Sequence, residues 1–129
     1  MAKESEVKKY FIEGKELAKK TITTLGSIFL KSDIQPTSTW AGKVTDSVQP
    51  PFSDKLMMYV NSLISTTALG FTALGTSFSM RNDLPIKLAL ISRDTFSYAK
   101  KGAKIMIAHR WMEEPPQMED RNQLTKIKE

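Results

Sequence analysis

The chain carries a single imidazole, His109, and no cysteine, which narrows its chemistry before any fold is considered. A thiolate zinc site, a disulfide framework and a cysteine nucleophile are all excluded for it. So is a zinc or iron centre built on two or more imidazoles of one chain. A carboxylate-bridged di-iron site in a helical bundle uses Glu-x-x-His, which sets a carboxylate and an imidazole on one helical face. Here the residue three before His109 is Met106, and Glu-x-x-His occurs nowhere in the chain. A serine nucleophile needs an adjacent base, and beyond one histidine there are only scattered carboxylates. The expectation is a protein that is not an enzyme, with no catalytic residues and no cofactor. His109 is the one candidate metal ligand. Its alternative role is a half-buried histidine near the last carbonyls of a helix, where the helix dipole favours it.

The 19 basic and 14 acidic residues leave a net charge of +5, which permits anionic partners without specifying one. Arg93, Lys100 and Lys104 share a helical face, with Lys101 at its edge. No aromatic residues are interleaved there, as a stacking platform for single strands would need. Neither Gly70 nor Gly75 is followed by the Lys-Ser/Thr of a phosphate loop. The stripe is therefore expected to be a solvated face, with nucleic acid not a partner.

Three long helices are predicted to position these groups, over about residues 4–31, 53–80 and 84–112. In the first, Val7, Phe11, Gly14, Ala18, Thr21, Leu25 and Ile28 recur at alternating steps of three and four, the mark of one helical face. Tyr10, Leu17, Ile22 and Phe29 widen that stripe. Glu4 with Lys8 and Glu16 with Lys20 are spaced for i,i+4 ion pairs. The second helix opens at Ser53 or Asp54, either of which can cap its free amides. Met57, Ile64, Phe71 and Phe78 recur along it every seven residues, interleaved with Val60, Thr67 and Leu74. The third starts with Pro85 in its first turn and is stopped before Pro115-Pro116. Its inner face is Leu84, Leu88, Ile91, Thr95, Tyr98, Gly102, Ile105 and His109.

The connections predict the topology. A short link makes the second and third helices antiparallel neighbours. The link 32–52 is long and aperiodic, and about twenty extended residues reach roughly 65 Å, further than the roughly 40 Å of the first helix. It can therefore cross the whole bundle and start the second helix beside the start of the first. One such crossover separates ferritin-like bundles from plain up-down ones. The expected fold is all-α, a single ferritin-like unit over 1–129 with a polar tail from 113 to 129. The first helix of the usual four is expected to be missing.

The second helix contains a run of 25 residues, Leu56 to Met80, with no charge, which is long enough to span a bilayer. Its many hydroxyls argue instead for a helix buried on most of its circumference, with membrane not a partner. Two neighbours do not easily cover such a helix. The expected partner is a second copy of the chain, giving a homo-oligomer, or another helix packed on 53–80, with Ile64, Phe71 and Phe78 as contact residues. Trp40 in the crossing link and Trp111 at the end of the third helix are expected to anchor loop and terminus by burying large rings. The N-terminus, MAKESEVKK, has no apolar signal core, so the expected location is cytoplasmic or spore-associated.

The spore setting comes from a resemblance. It is carried by Val44-Thr45-Asp46-Ser47 with Pro50-Pro51-Phe52-Ser53-Asp54-Lys55-Leu56-Met57, by Ser79-Met80-Arg81-Asn82-Asp83-Leu84, and by the run from Tyr98 to Gln117. In that order these segments resemble a family of uncharacterised proteins of spore-forming Gram-positive bacteria, distantly related to spore coat protein F. The resemblance implies a ferritin-like four-helix bundle, commonly in chains with two such units. It implies no enzymatic activity and no catalytic residues, and it points to a structural or interaction role. A ferritin-like protein holding a small molecule or metal in the bundle core is the alternative.

Overall fold

The computed structural model describes residues 4–36, 38 and 49–113. All regular structure among them is helical: α1 is Ser5–Lys31, α2 is Asp54–Phe78 and α3 is Leu84–Ala108. The expected all-α helical bundle is what forms, with helix ends shifted by up to four residues from the sequence reading.

Local chemistry sets those ends. Ser53 is the N-cap of α2, its Oγ accepting the Leu56 N–H at 3.3 Å. Asp54 does different work: its Oδ2 accepts the Glu4 N–H at 2.7 Å, across 50 residues of sequence. The α1 start thus has no side-chain cap of its own and borrows a carboxylate from α2. Proline stands in the first turn of α3, where its missing N–H costs nothing.

The C-terminus of α3 departs from the sequence expectation. The helix ends at Ala108, well before Pro115, because Arg110 adopts a left-handed backbone with φ 56°. The Trp111 N–H then donates to the Met106 carbonyl at 2.8 Å and the Arg110 N–H to that of Ile107 at 2.9 Å. These are the two bonds of a Schellman turn. The same turn closes α1, with Asp33 at φ 55°, Ile34 N–H on the Phe29 carbonyl and Asp33 N–H on that of Leu30. Neither turn uses glycine, so the usual sequence signal for a helix stop is absent at both.

Cross-helix contacts give the topology. The Glu4–Asp54 bond puts the starts of α1 and α2 together, so these helices run parallel across the long link. His109 Nε2 lies 3.4 Å from Glu6 Oε2, and Lys20 Nζ lies 2.8 Å from Asp94, so α3 runs antiparallel to α1. It is antiparallel to α2 as well, with Asn61 against Tyr98 at one end and Gly75 against Leu88 at the other. The α2–α3 interface is the more extensive one, and α1 packs mainly on α3.

The core gathers at one end of this bundle. Val7, Tyr10, Met58, Tyr98, Ile105 and Met106 form the buried cluster, with Phe11, Leu17 and Trp111 packed against it. Every predicted inner residue of α3 is buried or half-buried. On α1 the stripe holds except that Ala18 and Ile22 are exposed. The expected Glu16–Lys20 pairing is also replaced. Lys20 reaches across to Asp94, while Glu16 takes Lys19 at 3.1 Å. A cross-helix carboxylate competes well with one on the same helix, because surface pairs of either kind are worth only about 0.2–1 kcal/mol.

Candidate functional site

Two features stand out where the three helices meet: a polar node inside the core and an apolar surface outside it. The node begins with a repeated spacing, Tyr10 with Gly14 on α1 and Tyr98 with Gly102 on α3. Residues four apart share a helical face, so each helix presents a ring next to a gap. Because α1 and α3 are antiparallel, each tyrosine lies over the other helix's glycine. The rings stack with centroids 4.2 Å apart and planes 1° from parallel. A Cβ at Gly14 would overlap the Tyr98 hydroxyl and stand 2.7 Å from the ring carbon Cζ that bears it. One at Gly102 would meet the Tyr10 hydroxyl in the same way, again 2.7 Å from Cζ. Glycine is required at both positions by this approach. Asn61 of α2 completes the node, its Nδ2 donating to both phenol oxygens at 3.2 Å.

Burial raises the Tyr10 phenol well above its ordinary range, with the neighbouring Tyr98 hydroxyl adding to the effect. The Tyr98 phenol is raised too, burial again the leading cause. Neither is suited to act as a base near neutral pH. The node is satisfied internally, and no buried side-chain polar atom among the described residues lacks a partner. What this arrangement does chemically is fix the spacing and rotation of three helices.

The outside of the bundle is the more unusual part. The packed face of α2 is largely polar: Asp54, Asn61, Ser62, Ser65, Thr72 and Thr76 lie buried or half-buried, with Met57, Met58 and Leu69 among them. The opposite face is apolar and open. Ile64 is 62% exposed, Phe71 70% and Phe78 81%, with Leu56, Val60, Leu63 and Leu74 beside them. A helix on a soluble bundle normally has the reverse polarity. Between this face and α1 runs a groove of about 610 Å³, its walls including Phe11, Ile12, Leu56, Val60 and Ile64. Exposed Lys8 and Lys15 also line it, as does Asn61, which belongs to the node as well.

The sequence-predicted site residues fall into separate places. Ile64, Phe71 and Phe78 share the open face of α2. Trp111 lies past the end of α3, half-buried against the core, and stacks on His109 at 4.6 Å. His109 is the C-cap residue of α3, near Glu6. No group of three or more potential metal-ligating side chains comes together among the described residues. Trp40 lies outside the described residues. In the basic stripe Arg93 is paired with Asp94 at 3.0 Å and Lys101 with Glu13, while Lys100 and Lys104 remain exposed. No described helix is long and apolar enough to cross a membrane.

Hydrophobic periodicity does not single out the tyrosine–asparagine node. Its signal in the sequence lies in the matched Tyr-x-x-x-Gly spacings of α1 and α3, and in the one asparagine of α2.

No curated protein and no solved structure matches this chain. A family model, described as a protein of unknown function, DUF3231, matches residues 1–124. With that match covering nearly its whole length, the chain belongs to the DUF3231 family of proteins of unknown function.

Proposed function

We propose that this protein is a non-catalytic helical-bundle module that works by contact, using the outer face of α2 as its interaction surface. The observation that carries this reading is the inverted polarity of α2. Asn61, Ser65, Thr72 and Thr76 are turned into the bundle, while Leu63, Phe71, Leu74 and Phe78 are turned to solvent. Each apolar side chain of this size gains about 1.5–3 kcal/mol on full burial. Exposed apolar patches larger than a few hundred Å² on a soluble protein mark interaction sites. The parallel α1 and α2 joined by a long link, with α3 antiparallel to both, support a ferritin-like arrangement. The resemblance to relatives of spore coat protein F supports an intracellular setting linked to sporulation, with a structural role in an assembly.

The test is site-specific photo-crosslinking in the native host, from position 71 and, as control, from position 100. The expected result is protein adducts from position 71 and none from position 100. An α2 face that gives no adduct sinks the reading.

A second reading has one observation in its favour. The groove between α1 and α2 has the size and apolar lining of a small-molecule site. Lys8 and Lys15 in its lining suit an apolar ligand with an anionic end. Native mass spectrometry of the purified chain would show such a ligand as an added mass lost in the Val60→Lys variant.

A further inference from the structure

We propose that the occupant of the outer α2 face is the same face of a second copy, the two helices antiparallel across a two-fold axis at Thr67. This names the partner of the surface described above and rests on that surface being an interface.

The spacing of the face is the first argument. From Thr67 the exposed row advances by four, three and four residues in both directions. On one side it reaches Leu63, Val60 and Leu56; on the other, Phe71, Leu74 and Phe78. A two-fold axis through Thr67 therefore sets Leu63 against Phe71, Val60 against Leu74 and Leu56 against Phe78 of the second copy. An isologous contact requires such self-complementarity, because one patch must match itself. The row averages close to 11 residues in three turns, a repeat that pairs helices with a slight right-handed supercoil.

Shape agrees with spacing. The same axis brings Ile64 against Gly70 of the second copy. A Cβ placed at Gly70 meets nothing within 4 Å, so the face carries an open notch where the branched side chain arrives. The polar atoms agree as well. Thr67 Oγ1 already donates to the Leu63 carbonyl at 2.9 Å, Thr66 to that of Ser62 at 3.0 Å and Ser77 to that of Ala73 at 3.0 Å. These hydroxyls can be buried without leaving an orphan donor, the cost that otherwise opposes such burial. No charged residue lies between Lys55 and Arg81, so nothing along the row repels its own copy.

The area is sufficient. Phe71 and Phe78 together expose roughly 300 Å². With the aliphatic side chains the face offers on the order of 700 Å² per copy, near the roughly 800 Å² per partner of a standard stable interface.

The chain has no cysteine, which allows a direct test of register on the full protein. Under mild oxidation, Thr67→Cys alone is expected to form a covalent dimer. Leu63→Cys and Phe71→Cys are expected to crosslink when mixed and to stay uncrosslinked separately. Sedimentation of the unmodified chain is expected to show a dimer. Gly70→Leu, which fills the notch, should weaken that dimer roughly tenfold to a hundredfold while keeping full helicity. A wild-type chain that stays monomeric overturns the proposal, as does a dimer that ignores Gly70→Leu or crosslinks only like with like at position 63. If that monomer still gives adducts with a different protein from position 71, the second-copy assignment falls and the interaction face stands. If position 71 gives no adduct at all, both fall.

Discussion

The rings of Tyr10 and Tyr98 lie face to face at 4.2 Å, each with its hydroxyl over the glycine of the opposite helix. This reciprocal packing sets the distance between α1 and α3, and its consequences for stability can be measured.

Gly14→Ala and Gly102→Ala each place a methyl group within van der Waals overlap of a ring that is 7% or 2% exposed and held by Asn61. The ring cannot swing out freely, so overpacking should cost about 1–3 kcal/mol. Better helix propensity returns about 1 kcal/mol of this. Urea denaturation should therefore show a net loss at both positions. In double-mutant cycles Gly14→Ala should couple to Tyr98→Phe and Gly102→Ala to Tyr10→Phe. The crossed combinations should couple more weakly, through the ring stack and the shared Asn61 amide.

Asn61→Leu removes the donor shared by the two phenols. Stranding buried polar groups costs about 1–3 kcal/mol, and the midpoint of denaturation should fall accordingly. Adding Tyr10→Phe and Tyr98→Phe should recover part of that loss, because the stranded groups are then gone.

Alkaline pH acts on the same node. Both phenols have folded-state pKa values raised above the unfolded value. Their contribution is fully present below about pH 10. It declines as pH rises further, because the unfolded chain ionises while the folded chain holds its protons. Each tyrosine should steepen the loss by up to about 1.4 kcal/mol per pH unit. Tyr10→Phe should flatten stability measured from pH 9 to 11. The acid side has the opposite sign. Lys20, with help from Arg93, lowers the Asp94 carboxyl, so a small stabilisation present above the ordinary carboxylate range should fade as pH falls below it.

Arg110 is exposed and sits at φ 56°, a conformation that costs a side-chain-bearing residue about 1–2 kcal/mol. Arg110→Gly should raise thermal stability by about 1 kcal/mol or somewhat less, since glycine also has more freedom to lose. Asp33→Gly should gain less, as aspartate tolerates this region better. A drop in melting temperature for Arg110→Gly would mean its side chain contributes more than the turn demands.

The sequence by itself determined the helices, and largely the topology. Periodicity located the inner face of α3 at every position from Leu84 to His109, because a helix buried along one side must repeat near 3.6 residues. The length of the link between α1 and α2 allowed these helices to run parallel, and the contacts at their starts show that they do. What the tertiary structure decided was which side of α2 is inside. Its apolar residues run nearly all round, so periodicity alone could not say that Asn61 and Ser65 face the bundle while Phe71 and Phe78 face out. That choice belongs to Tyr10 and Tyr98, whose hydroxyls take the Asn61 amide and turn the polar side of the helix inward. The early stop of α3 was hidden for a similar reason. It depends on a left-handed residue that is arginine, and only the carbonyls of Met106 and Ile107, already placed by the bundle, give that turn its partners.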